Sequence, residues 1–329
     1  MCIRDSSLSE SFLPQYSSLI NHTVFIPSFF AGSKFFAISS IKTVSSGTIS
    51  NFFISPLNFL SGTFFSIACS KFSKVSLIAV VGKNFNQNDT NILHENKIDL
   101  SGFKTIQGET FKWSGEYYGE DLKERKTIET QLNVLSNFNP ILSEKHKKSK
   151  YLFLANMSPE TQLDVLNQFD NRPNLVVMDT MNFWIENNYL SLIKMINQTD
   201  VLLVDSGESQ QITGEKDIKD AGKKLLQLGP SIAIIKQGGL GSTMFHKEFT
   251  FSIPAYPVSK IVDPTGAGDS FAGGFLGYIS RNDSNYSEDV LKKALKAGTI
   301  LGSFAVEYFS VSKLTNINLD EINSRIKNL

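Results

Sequence analysis

Five short, largely apolar runs set the frame for this chain: Val75 to Val81, Tyr151 to Ala155, Leu175 to Asp179, Val201 to Val204 and Ile232 to Lys236. A strand with one face in water alternates polar and apolar residues, whereas one covered on both faces does not. These runs therefore read as strands of a parallel sheet covered on both sides. Helical patterns lie between them. Asp217 to Leu228 carries Ile218, Ala221, Leu225 and Leu228 on one stripe, and Gly229-Pro230 stops it. Glu288 to Tyr308 is a second long helical reading. The alternation implies an α/β fold with a doubly wound, mainly parallel sheet and helices on both faces. Ligands in such sheets bind beyond the carboxyl ends of the strands. At 329 residues the chain has room for one large domain or two.

The stretch Asp263-Pro264-Thr265-Gly266-Ala267-Gly268-Asp269 carries the chemistry. Strand-like residues precede it (Phe251 to Ile253, then Ile261 and Val262), and a glycine-bearing helix, Ser270 to Tyr278, follows. A glycine-rich turn that opens a helix aims backbone N–H groups and the positive dipole end at one spot, which suits an anion. Asp269 adds a carboxylate beside it. An anion cradle next to a base suits phosphoryl transfer to a hydroxyl. The plainer alternative, a Gly-rich loop with a helix-capping Asp, accounts for less of the string.

This string resembles the signature D-x-T-G-A-G-D of the ribokinase-like, or PfkB, family of sugar and nucleoside kinases. The resemblance covers roughly residues 63–329 and implies the ribokinase-like fold with a small β lid. It implies Asp269 as general base, an anion hole from the amides of Gly266, Ala267 and Gly268, and Thr265 beside the nucleotide. It also implies ATP and Mg²⁺, with a small-molecule sugar as acceptor; a nucleoside is the alternative acceptor. An inactive nucleotide- or sugar-binding protein is the alternative of another class. Pairing of two copies through the lid is a further expectation.

Three other places carry the resemblance. Asp205-Ser206-Gly207-Glu208 stands where the family has Asn-x-x-Glu; an acceptor-only carboxylate replaces an amide that could donate. Asp205 and Glu208 then face the nucleotide, with Glu208 meeting Mg²⁺ through water, or else form a helix N-cap cluster. Ile234 to Ser242 matches a strand and glycine turn lining the nucleotide pocket, with Gly238 and Gly241 as its glycines. Lys236 lies near the phosphates or is a strand-end surface lysine. Asn156 and Asp179 end strands on the ligand edge and either touch substrate or phosphate or cap helices. Phe103 to Tyr118 reads as a hairpin, giving a lid at about 102–118; Trp113 and Tyr117 cover the substrate or pack within the lid.

Residues 1–62 depart from this pattern. No Asp or Glu occurs between Glu10 and Asp89, and Phe is concentrated there. The family's first strand, with its substrate-binding Asp and later Gly-Gly hinge, is absent. The opening Met1-Cys2-Ile3-Arg4-Asp5-Ser6 is similar to a translated adapter, so the segment is expected to be foreign to the family sequence. Lys and Arg balance Asp and Glu at 32 each, so no global field favours nucleic acid or an anionic membrane. The basic run Lys145 to Lys150 is expected as a solvated loop. Two cysteines, Cys2 and Cys69, argue against a disulfide framework, and the scattered histidines show no metal-ligand spacing. No apolar span is long enough for a membrane helix, and the expected location is the cytoplasm.

Overall fold

The computed structural model describes residues 24–27, 36–43, 49–54, 60–119, 122, 124–282 and 286–329. Two compact units emerge: residues 1–58 with 112–131, and residues 59–111 with 132–329.

In the larger unit the elements run in the order α1 (Leu60–Ser70), β1 (Ser76–Gly82), α2 (Gln87–Glu95), β2 (Asp99–Ile106), β3 (Tyr151–Leu154), α3 (Pro159–Asn167), β4 (Leu175–Asp179), α4 (Asn182–Asn187) and α5 (Tyr189–Asn197). They continue with β5 (Val201–Asp205), α6 (Ser206–Thr213), α7 (Ile218–Gln227), β6 (Ile232–Lys236), β7 (Ser242–His246), β8 (Thr250–Ile253), α8 (Ala267–Arg281) and α9 (Glu288–Val306). Six strands form one sheet in the order β8-β7-β6-β5-β4-β3. The four from β3 to β6 are parallel, and β7 and β8 return antiparallel.

Strand periodicity explains why the sheet is covered on both faces. Leu175, Val177, Val201, Leu203, Ile232 and Ile234 point into one core with Phe271, Phe275 and Leu295 of α8 and α9. Their neighbours Val176, Met178, Leu202, Val204, Ala233 and Ile235 point into the other, with Leu192 and Met195 of α5 and Ala221 and Leu225 of α7. Unbroken apolar runs are what this division demands. The doubly wound α/β expectation therefore holds, with one difference: the run in β1 pairs with β2 in a separate two-stranded parallel sheet, and the other four runs share the six-stranded one. Caps set the helix ends: the Asp217 side chain accepts from the N–H groups of Lys219 and Asp220 to start α7.

Helix α8 lies between α1 and α9, and its glycines set that spacing. A Cβ on Gly273 would collide with the Phe65 carbonyl of α1, and one on Gly274 would sit 2.7 Å from the Ala297 carbonyl of α9. Adjacent glycines thus open opposite flanks of one helix to close backbone approach.

The lid boundaries need correction. Residues 102–118 do not form a hairpin: β2 pairs parallel with β1, and Lys112–Tyr118 pairs antiparallel with Glu124–Gln131. The reason lies in the connection. Helix α2 joins β1 to β2 as a crossover, which makes the two strands parallel. Gly119, at φ 79°, lies at the end of Lys112–Tyr118 before the chain returns as Glu124–Gln131. That return strand carries one aliphatic residue, Ile128, and leaves it exposed, so hydrophobicity gave no sign of it. The smaller unit is a five-stranded antiparallel sheet in the order Val24–Pro27, Phe36–Thr43, Ile49–Ile54, Lys112–Tyr118, Glu124–Gln131. Trp113 and Tyr117 pack within it, their ring centroids 6.3 Å apart. The expectation that residues 1–62 are foreign falls mostly outside the described residues.

The basic run is more structured than a solvated loop. His146 is buried, its ring nitrogens bonded to Ser101 Oγ and Ser143 Oγ, and Lys145 pairs with Asp99 at 2.6 Å. Cys69 is buried in the core and its thiol is pushed up to about 12 by that burial, which removes it as a nucleophile. Among the described residues no helix is long and apolar enough to cross a membrane.

Candidate active site

The turn ahead of α8 is built by its own residues. The buried Asp263 accepts the Thr265 N–H at 2.9 Å, and the Val262 and Asp263 amides donate to the Val306 carbonyl at the end of α9. Burial foremost raises the Asp263 carboxyl above its ordinary value, against the hydrogen bonds from Thr265 and Ser310. Gly266 takes the left-handed conformation at φ 77°, and the Phe64 ring of α1 occupies the space a side chain there would need. Helical bonding starts with the Ser270 amide donating to the Gly266 carbonyl at 2.9 Å. The Gly268 amide precedes that first bond, as anion-binding amides at a helix start do. The Ala267 amide, expected in the anion hole, donates here to the Pro264 carbonyl at 3.3 Å. Asp269 stands half-buried in the first turn of α8.

The ends of three adjacent parallel strands bring further groups together. Asp179 ends β4, Asp205 ends β5 and Lys236 ends β6; the register aligns Asp205 with Lys236 and Leu203 with Asp179. Lys236 Nζ lies 3.2 Å from Asp179 Oδ1, with the two side chains 17% and 10% exposed. The same Nζ lies 3.1 Å from the position a Cβ on Gly268 would take. The lysine thus lies at the turn that opens α8 and not on the surface. Sequence reading placed Lys236 and Asp179 at strand ends without linking them. The available signal was a lysine closing a strand apolar on both faces, with no acid nearby in sequence to pair with it.

Asp205 and Glu208 form a reciprocal capping box at the start of α6. Asp205 Oδ1 accepts the Glu208 amide and Glu208 Oε2 accepts the Asp205 amide, both at 2.8 Å. Burial foremost, then the Asp205 and Asp179 charges, push the Glu208 carboxyl up to about 8, with Lys236 opposing. Burial works to lower the Lys236 ammonium, but Asp179, Glu208, Asp205 and Asp269 outweigh it and leave its pKa raised. Five of the expected site residues therefore share one electrostatic cluster: Asp179, Asp205, Glu208, Lys236 and Asp269.

The other expected residues make contacts outside that cluster. Asn156 Oδ1 accepts from Trp184 Nε1 at 2.8 Å and its Nδ2 reaches Met181 Sδ at 2.8 Å, which ties the end of β3 to α4. Gly241, at φ 102°, has the Ile253 carbonyl where a side chain would go, while Gly238, at φ 56°, faces open space. Thr265 is buried within the turn. Among the described residues no group of three or more His, Cys, Asp or Glu could hold a metal. An Mg²⁺ ion suits this donor set only through water and substrate oxygens, which is its usual preference.

The family model for pfkB family carbohydrate kinases matches residues 67–317. A cytidine kinase of Thermococcus kodakarensis is 29% identical over 216 residues, 64% of this chain and 75% of that protein. Among solved structures, the nucleoside kinase of Methanocaldococcus jannaschii superposes with a TM-score of 0.66 at 20% identity, covering 94% of this chain and 97% of that one. A putative ribokinase II from E. coli, in complex with ATP and Mg²⁺, gives a TM-score of 0.64 at 18% identity, covering 92% and 94%. At these identities the two structures speak for the fold.

Proposed function

We propose, for a chain that belongs to the pfkB family of carbohydrate kinases, that it transfers the terminal phosphoryl group of ATP to a hydroxyl of a small sugar or nucleoside. The observation that carries this reading is the convergence on Gly268 of a left-handed glycine turn, a helix start and the Lys236 ammonium. The acceptor hydroxyl lies by Asp269, which takes its proton. The hydroxyl oxygen attacks the γ-phosphorus in line, the bond to the β–γ bridging oxygen breaks, and ADP leaves. The Gly268 amide, with that of Gly266 earlier in the turn, meets the charge on the transferring group, and Lys236 neutralises it. Thr265 and the turn carrying Gly238 and Gly241 line the nucleotide side. Mg²⁺, when bound, neutralises the polyphosphate, and Glu208 with Asp205 would meet its water shell.

The test is a coupled ADP-release screen over ribose, fructose, adenosine, inosine and cytidine. Turnover on at least one acceptor above the ATP-only rate is expected. No turnover on any of them counts against the reading, and ATP binding without turnover would fit a nucleotide-binding protein instead. The match over 216 residues to a cytidine kinase favours a second acceptor reading, a pyrimidine nucleoside. A higher kcat/KM for cytidine than for ribose or fructose supports that reading.

A further inference from the structure

We propose that Lys236 is the cation that meets the terminal phosphate in the turn and that Asp179 is the positioning residue that holds it there, not an acceptor-binding residue; this rests on the kinase reading above. Neighbouring strands lie about 4.8 Å apart, and β5 separates β4 from β6. The Lys236 side chain therefore crosses the carboxyl end of β5 to reach Asp179 Oδ1 at 3.2 Å. A long, flexible side chain has many rotamers, and this pairing fixes one of them. The fixed rotamer sets Nζ 3.1 Å from the Cβ position of Gly268, the residue whose amide precedes the first helical bond.

Three further acidic side chains, Asp205, Glu208 and Asp269, act on the same ammonium. Asp179 selects the position over Gly268 from among them. Its own surroundings suit that task better than acceptor binding. Its side chain is 10% exposed, Oδ1 is taken by the lysine, and its backbone carbonyl accepts from Gln162 Nε2 at 3.2 Å. A buried ion pair is a weak source of stability, because desolvating two charges offsets their attraction. Its place at the phosphate end of the sheet gives the pair a functional reason.

The experiment is a double-mutant cycle with Asp179→Asn and Lys236→Met. Asp179→Asn keeps an oxygen for the lysine but removes the charge; kcat is expected to fall about 10-fold with the acceptor KM within about 2-fold. Lys236→Met is expected to lower kcat about 100-fold, and the double variant to be no worse than Lys236→Met alone, because Asp179 acts only through the lysine. The double variant removes both members of the pair, so Asp179 is not left as an unpaired buried charge as it is in Lys236→Met alone. A raised acceptor KM at constant kcat in Asp179→Asn, or losses that multiply in the double variant, overturns the proposal. ATP and ADP affinities by calorimetry give a readout independent of turnover. Asp179→Asn is expected to weaken ATP more than ADP, and equal weakening overturns the proposal. A wild-type protein with no turnover on any acceptor sinks the kinase reading, while the ATP/ADP comparison still judges this one.

Discussion

Replacing Gly268 with Ala separates stability from activity at a single methyl group. Gly268 has no positive φ, so alanine fits its backbone, and the nearest heavy atom to the new Cβ is Lys236 Nζ at 3.1 Å. That contact is a few tenths of an ångström too tight, but the atom is the tip of a flexible side chain and can yield at the cost of shifting its pairing with Asp179. Alanine is favoured over glycine in a helix by up to about 1 kcal/mol, less in a first turn. Shifting the Lys236–Asp179 pair costs a similar amount, so the net change stays within about 1 kcal/mol and Tm moves by no more than about 4 °C. The same methyl group comes between Gly268 and Lys236 Nζ, where the proposed phosphate oxygen would meet the Gly268 amide. Loss of one such donor costs about 100- to 1000-fold in kcat. The assays are thermal unfolding and ADP release with the acceptor found by the screen. A Gly268→Ala protein with kcat within about 3-fold of wild type would refute the assignment of the anion site. A loss of several kcal/mol in stability would refute the steric argument instead.

Further predictions follow from the same geometry. Asp269→Asn is expected to keep ATP affinity and lose at least ~100-fold in kcat, read by calorimetry and ADP release; near-normal turnover removes Asp269 as base. Gly274→Ala, in the same helix, is expected to destabilise by about 1–3 kcal/mol, because its Cβ would meet the Ala297 carbonyl at 2.7 Å and backbone cannot yield as a lysine does; urea unfolding checks the contrast with Gly268→Ala. Burial foremost pushes the Glu208 carboxyl up to about 8 from an ordinary value of 4.5. The folded state holds that proton where the unfolded chain has lost it, so this contribution is fully present below pH 4.5 and lost as pH rises through 8. Wild type is therefore expected to lose stability relative to Glu208→Gln between pH 5 and 8.5, and a flat difference in urea midpoints across that window sinks the assignment.

The local signals in this chain acted over a few residues, and the structure honours them. Unbroken apolar runs gave β4, β5 and β6, since a strand covered on both faces cannot alternate. The turn from Asp263 to Asp269 announced a glycine bend opening a helix, because only glycine sits easily at Gly266 with φ 77°. Gly273 and Gly274 marked a glycine-bearing helix, and the structure adds that both of its flanks are crowded. Strand partners were a different matter. Alternation from Phe103 to Tyr118 said that strands were present, but the α2 crossover decided that β2 lies parallel to β1, and the polar Glu124–Gln131 gave no hydrophobic trace of its pairing. The capping box of Asp205 and Glu208 was open as one of two readings, and its reciprocal bonds appear only in three dimensions. Lys236 and Asp179 stand 57 residues apart. No periodicity or propensity relates them; they meet because two crossovers place their strands on either side of β5. The sequence by itself determined the apolar strands, the turn and the carboxylate beside it, all short-range matters of steric freedom and hydrophobic period. The tertiary structure alone decided which charges share the site, because the order of strands in a sheet is set by long-range packing.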